Sequence, residues 1–559
     1  MNKKIMMGVM LAALICITMP AMAEPTPFVI TGHVYDFCGN PCNGSYLQVT
    51  NLNTSEGWDV RNSSESKYYL LMLSSDCVSA GSILRFDAQG FSQSKTVTHT
   101  MTSDEMTTGG FVEDITLEPA AGPDLTVTAI DRPDHIYRGR DTLIYATVAN
   151  VGTVDAGTFD LTLEVNGVVV DTVSNVLPPE ICAAGTCVAF EWTPISVGMS
   201  TLKVVADSGG RISESDETNN ELGETVQVNS SETIRVPADY PTIQTAINAS
   251  SSGITIIVSP KNDTDNVYHE HVNINRDGIW LIAEGDVVIW NDVTKGFVYL
   301  PSDGDQVTVL GEGCTVQGFD LRANVSGTYD NYPGVGVRLC SDYNIIRDNH
   351  IHHTAGGIQV EDCSYNLIDN NTIGPVVLLV MGVWGDHNLI TGNAFGSDTG
   401  NGWRLGGDMF SWADKPASYN TIRENTFAGC SSLKGSDNLI YNNRFLGYAE
   451  MGSENTYNTT KTHGTNLMDG PYLGGNYWSD YAGNDTDQNG IGDKPYLYDL
   501  LPLVEYTPTY TTADAVIALS IAVGSREYNP GMDVNNDGKV TSLDALIILQ
   551  AASGAIRIT

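Results

Sequence analysis

Short runs in which apolar and polar residues alternate dominate the chain up to about residue 230, and a longer period takes over after them. Phe28 to Tyr35, Tyr46 to Thr50, Lys67 to Met72 and Ile83 to Phe86 carry the twofold alternation of strands with one buried face. The same period returns in Leu143 to Val148, Phe159 to Val165 and Thr201 to Ala206. Residues 24–119 and 120–230 are therefore predicted to form two β-sandwiches.

The longer period lies between Cys340 and Phe445. It reads Asn344-Ile-Ile-Arg-Asp-Asn349-His-Ile351, then Asn366 to Ile373, Asn388 to Phe395, Asn420 to Phe427 and Asn438 to Phe445. The frame is Asn-x-Ile-x-x-Asn-x-(Ile or Phe), too short to close a core alone, so each copy must stack its apolar residues on the next. Asn and Gly at the bends favour short strands, and stacked Asn residues can hydrogen-bond along the axis while tolerating the left-handed conformation. The prediction is a parallel β-helix. Gly396 to Pro416 makes one step longer than its neighbours and is expected to bulge out as a loop. Cys340 and Cys363 recur at one place in adjacent coils, as small buried thiols. Ahead of the coils, Ile243, Ala246 and Ile247 share a face of a short helix begun by Pro241-Thr242, which would cover the open end of the solenoid.

Charge narrows the functional classes. Charged residues make up 17% of the 559, yet the net charge is −39. Such a surface repels nucleic acid, so no nucleic-acid partner is expected, and it favours cations, calcium above all. Lys3-Lys4, the apolar run Ile5 to Pro20 and Ala21-Met-Ala23 have the form of a secretory signal over residues 1–23. No other stretch is long and apolar enough to span a membrane. The chain is therefore expected to be secreted, extracellular or at a cell surface, with no membrane span after signal cleavage. In an oxidising compartment Cys182 and Cys187 are expected to bridge a turn, and Cys38, Cys42 and Cys77 could supply another disulfide, its pairing open. Asn-x-Ser/Thr triplets such as those at Asn43, Asn229 and Asn458 are compatible with a glycoprotein.

Several segments resemble known families. Gly32-His-Val34-Tyr-Asp36, Cys38-Gly-Asn-Pro41 and Leu47-Gln-Val-Thr-Asn51 resemble carboxypeptidase regulatory-like domains, which implies a spacer or adhesion unit. Pro123-Asp-Leu125 and the close Ser213-Glu-Ser-Asp-Glu-Thr-Asn-Asn220 resemble the CARDB family of cell-adhesion-related, immunoglobulin-like modules. There Asp207, Glu214, Asp216 and Glu217 read either as calcium ligands or, preferably, as an acidic edge that blunts strand pairing. The helix at Val236 to Asn248 and the strands after it look like the entry of pectin-lyase-like right-handed β-helices. The Asn repeats are similar to the NosD-like group among them, which places the β-helix at 231–505.

Two turns carry oxygen ligands at alternate positions. Asp485-Thr-Asp487-Gln-Asn489-Gly-Ile491-Gly-Asp493 resembles thrombospondin type 3 loops, with Ile491 offering its carbonyl. Asp533-Val-Asn535-Asn-Asp537-Gly-Lys539-Val-Thr541-Ser-Leu-Asp544 has oxygen side chains at positions one, three, five, nine and twelve, Lys539 offering its carbonyl and Gly538 the bend. Leu543, Leu546, Ile547 and Ala551 are predicted to share one face of the helix that follows. Thr511 to Ile517 echoes Thr541 to Ile547, and this duplication resembles dockerin domains at 506–559, which implies calcium and a possible cohesin-type partner. In the first copy Leu503, Glu505 and Thr507 occupy ligand positions, so one metal site is expected to be lost.

The chain is thus expected to be mainly β, with two sandwiches, a right-handed β-helix and a small α-helical calcium module. The expected function is a modular protein whose β-helix binds extended polysaccharide or glycan, with Trp403 and Trp412 stacking on sugars. The alternatives are a polysaccharide-degrading lyase, hydrolase or epimerase using Arg404, Asp408, Asp414 and Lys415, and an adhesive envelope protein. His350, His352 and His353 share one coil, and the resemblance to NosD implies copper there. On a strand, however, His352 and His353 face opposite sides, so only His350 and His352 are expected to converge on one ion.

Overall fold

A computed structural model describes residues 27–553 except 62–66, 75, 91–92, 119–121, 177–180, 182–184, 292–303, 324–333, 397–402, 406–416, 507–509, 511, 527–531 and 536–537. The architecture is mainly β, as the periodicities predict. The first sandwich pairs Phe28–Tyr35 with Tyr68–Leu73 and Gly110–Val112 in one sheet and stacks it on a sheet built around Tyr46–Asn51 and Ile83–Gly90. Every second residue of Phe28–Tyr35 is buried, the signature of a strand with one face in a core. The second sandwich packs a five-stranded sheet, including Phe159–Val165 and Gly198–Ala206, on a three-stranded sheet of Leu125–Asp131, Thr142–Asn150 and Thr186–Trp192.

From Glu232 onward the chain coils into a rod of three parallel sheets, two of nine strands and one of eight among the described residues. Each coil contributes one strand to each sheet, and the inward residues stack along the axis. Phe395, Phe427, Phe445 and Trp478 form a file with ring centroids 4.8, 4.7 and 4.4 Å apart. Burying each such ring contributes on the order of 2–3 kcal/mol.

Two ladders of buried asparagines hold the bends. Asn344 donates its backbone N–H and its Nδ2 to Oδ1 of Asn366 at 2.8 and 3.1 Å, and the pattern passes through Asn388, Asn420 and Asn438 to Asn455. The second ladder runs from Asn349 through Asn371, Asn393, Asn425 and Asn443 to Asn476. One detail differs from expectation. The left-handed residue is not the ladder asparagine but the one before it: Tyr343, Tyr365, His387 and Tyr419 in the first ladder have φ near 57–60°. That turn swings the asparagine inward, where its amide can reach the neighbouring coils.

The second sandwich is docked on the rod. Arg140 sends its guanidinium to the carbonyl oxygens of Gly253 and Gly278, and the Tyr137 ring lies so close that a Cβ at Gly253 would sit 2.0 Å from it. Arg347 of the rod pairs with Asp141 at 2.9 Å and Glu191 at 3.1 Å, and Tyr145 packs on Tyr365 with ring centroids 4.9 Å apart.

The helix Ile243–Ala249 buries Ile243, Ala246 and Ile247 against the first coils, capped by Thr242. At the far end, helices Thr512–Ala522 and Ser542–Ala552 pack on each other. Their contact face is not the one that Leu543 and Leu546 share. Asp544, Ala545 and Ile548 are buried, whereas Leu543 and Leu546 are exposed. The capping box of Thr541 and Asp544 turns Asp544 inward, and the apolar face rotates with it.

The cysteines also differ. Cys38 is disulfide-bonded, while Cys42, Cys77 and Cys187 are free, which overturns both the Cys182 to Cys187 bridge and any pairing within Cys38, Cys42 and Cys77. Cys42 lies in the first sandwich's core, and Cys187 sits opposite Thr147 and packs towards the rod. Cys363 is fully buried as expected, while Cys340 is only half-buried.

Candidate metal centre

The strands Asp320–Arg322 and His350–His352 are parallel neighbours, with Asp320 opposite His350 and Arg322 opposite His352. Between them Leu321 and Ile351 are fully buried, so strand alternation sends Asp320, Arg322, His350 and His352 to the outer face. One ligand atom each from Asp320, His350 and His352 lies within 4.8 Å of the other two. The Asp320 carboxylate is 3.1 Å from His352 Nε2 and 3.4 Å from His350 Nδ1.

His350 and His352 converge as expected, and His353 stays outside that ligand group but contacts His352. The strand ends at His352, and His353 takes φ of 55° and donates its backbone N–H to the Pro375 carbonyl, which brings its Nδ1 to 2.5 Å from His352 Nδ1. Two ring nitrogens that close share one proton, so one of these imidazoles donates and the other accepts. Burial is the main cause holding the His352 pKa below its usual value, which favours the neutral, ligating form. Two imidazoles and one carboxylate form a nitrogen-rich donor set that suits copper, zinc or nickel better than calcium. A hydrogen bond to the second nitrogen of a ligating imidazole fixes its orientation, and His353 supplies one to His352.

The residues singled out for sugar chemistry fall elsewhere. Trp403 and Arg404 belong to the strand Trp403–Leu405, which pairs with Leu379–Trp384 and Ser431–Leu433 in the eight-stranded sheet. The extra length between Asn388 and Asn420 is thus no simple bulge, because it contains a strand that completes its coil. Asp408, Trp412, Asp414 and Lys415 lie outside the described residues.

The acidic turns are ordered by their own hydrogen bonds. Asp485, Asp487 and Asp493 bring carboxylate oxygens within 4.8 Å of one another. Asp485 accepts from the backbone N–H of Asn489 and Gly490, and Asn489 Oδ1 from that of Ile491. In the second turn, Asp533 accepts from the Gly538 N–H, and Asp544 from the N–H groups of Asn535 and Thr541. Lys539 and Thr541 follow the bend, and Asp537 lies outside the described residues. Leu503 is fully buried and bridges to Tyr477 and Ile491, so it closes the rod and belongs to no ligand loop.

Sequence reasoning missed Asp320. Its coil carries Cys314 and Phe319 where later coils carry asparagine, and both backbone N–H groups feed the ladders at Asn344 and Asn349. The signal was positional: Phe319-Asp-Leu-Arg aligns with Asn349-His-Ile-His one coil on.

Family comparisons match two parts of the chain. The family described as "Periplasmic copper-binding protein (NosD)" matches residues 208–483, and CARDB matches residues 122–224. No curated protein matches. Among solved structures, the CARDB domain of a Pyrococcus furiosus protein in complex with di-metal ions is 26% identical, covering 19% of this chain and 90% of that one at TM-score 0.18. A pectin methylesterase in complex with a hexasaccharide is 13% identical over 39% of this chain and 80% of its own, at TM-score 0.24. The catalytic domain of an α-1,3-glucanase in complex with tetrasaccharides is 13% identical over 59% and 69%, at TM-score 0.26. The chain therefore carries one segment similar to CARDB and a β-helix similar to NosD, and no described helix is long and apolar enough to cross a membrane.

Proposed function

We propose that this is an exported modular binding protein whose β-helix holds a divalent transition metal, copper by preference, through Asp320, His350 and His352, with His353 orienting His352. The observation that carries the reading is the convergence of one carboxylate and two imidazoles within 4.8 Å on adjacent strands. The family description of the matching segment supports the choice of copper. When bound, such a metal supplies Lewis acidity and a positive charge at the rod's flank. The chain's own part is to present the imidazoles in their neutral form. Calorimetric titration of the full chain with Cu²⁺ tests the reading: one equivalent should bind, and His350→Ala with His352→Ala should abolish it. Undiminished binding in that double variant overturns it.

A second reading keeps the rod as a glycan-binding surface. It is supported by the exposed rings of Tyr419 and Tyr448 and the long parallel flank from Val272 to Met451. Trp403→Ala and Trp412→Ala should weaken binding on an oligosaccharide array, and unchanged array signals would exclude those residues.

The turns Asp485 to Asp493 and Asp533 to Asp544 are read as calcium staples, the latter within a dockerin-like pair of helices that serves attachment to a cohesin-type partner. Chelation should then lower the melting temperature of the C-terminal helices, and an unchanged transition would remove calcium from the account.

A further inference from the structure

Beside the cluster lies a guanidinium whose N–H groups donate to no described residue. Arg322 is opposite His352 in the parallel register, and its side chain is 33% exposed. Its guanidinium lies over the Trp290 ring at 5.1 Å, and its Nε is 3.9 Å from Asp320 Oδ1, too far for a hydrogen bond. Arg322 makes no hydrogen bond at all among the described residues, and both its Nε and the Trp290 Nε1 are shielded from solvent without an acceptor. Five donors in a rigid fork left idle, two of the neighbouring N–H groups already stripped of water, describe a place that lacks an acceptor.

Charge says what that acceptor is. Asp320 and Arg322 cancel, so a divalent cation on the cluster would leave the patch with a net charge near +2, on a chain whose total is −39. Such an island draws an anion. A planar carboxylate matches the guanidinium fork with two parallel hydrogen bonds.

We propose that the metal-loaded cluster recognises a carboxylate group, free or as the uronate of a sugar chain, with Arg322 as its second point of contact. The proposal rests on the metal reading above. Stacking on Trp290 positions Arg322 for the ligand, the metal supplies the charge that Asp320 would otherwise cancel, and neither is sufficient alone.

The test uses the full chain, titrated first with Zn²⁺ and then with trigalacturonate, acetate and neutral maltotriose. Trigalacturonate should bind the loaded chain at least about tenfold more tightly than the chelator-treated chain. Arg322→Gln should remove that gain while Zn²⁺ affinity stays within about threefold of wild type, and Arg322→Lys should restore part of it. Acetate bound as well as the trimer keeps the carboxylate chemistry and assigns a free carboxylate, and a preference for the trimer assigns a sugar chain. Equal trigalacturonate affinity with and without metal, equal affinity in Arg322→Gln, or maltotriose bound as well as the acid each overturns the proposal. Failure of the first Zn²⁺ titration overturns the metal reading itself and is seen before any carboxylate is added.

Discussion

The inner bends of the rod and its outer flank follow opposite rules. At the bends one residue type recurs coil after coil, buried and satisfied by its neighbours: Asn371 donates to Asn393 and accepts from Asn349. On the flank the row that runs through Val288 to Asp320 and His350 continues with Thr372, Ala394 and Thr426, so the ligating residues occupy two coils and stop. Repetition here builds the scaffold, and the place where repetition fails marks the site. Buried amides leave no freedom, because each unpaired donor would cost about 1–3 kcal/mol, whereas outward positions are free to carry chemistry.

The largest effect should come from breaking a ladder. Asn393→Ala removes the acceptor used by Asn371 and the donor used by Asn425, so it should destabilise the rod by about 3–5 kcal/mol, read from urea unfolding. A loss below about 1 kcal/mol would show that the ladder is decoration. Next comes the junction between sandwich and rod. Arg140→Ala strips the carbonyl oxygens of Gly253 and Gly278 of their shared donor and should cost about 2–3 kcal/mol, with the two parts melting separately in calorimetry. A single unchanged transition would deny that junction its role.

The ladder's end supplies a pH test. Asp499 takes the place of the next asparagine, accepting from the Asn476 N–H at 2.7 Å and from Trp478 Nε1 at 2.8 Å, and burial pushes its pKa from 3.8 up to about 6. A carboxyl with a raised folded pKa binds its proton more tightly when folded. Its contribution is therefore full below about pH 4, falls as pH rises to about 6 and is level above that. Melting temperatures from pH 4 to 7 should show that slope in the native chain and lose it in Asp499→Asn. The smallest effect belongs to the flank: Thr372→Ala, one coil past His350, should change stability by less than about 0.5 kcal/mol.

The same contrast explains what could be read from the sequence. The ladder asparagines were legible because the fold demands them at each coil, and the helix before them because Ile243, Ala246 and Ile247 share one face. Asp320 was not, because its coil replaces the asparagines with Cys314 and Phe319 and sits 30 positions before His350. His350 and His352 were legible as the converging pair, while the contact of His353 with His352 was not, because strand alternation ends at His352. The shared face of Leu543 and Leu546 was legible in Ser542–Ala552 but not the buried side, which the capping carboxylate of Asp544 takes instead. Strand period and ladder spacing are local in sequence, while a site assembled across coils depends on how many residues each coil spends in between.

The most direct test of the flank as a metal site is electron paramagnetic resonance of the full chain with one equivalent of Cu²⁺. The account predicts a single bound species with two coupled imidazole nitrogens, retained in Asp485→Asn and lost in His352→Ala. A spectrum that is the same in His352→Ala as in the native chain would contradict it.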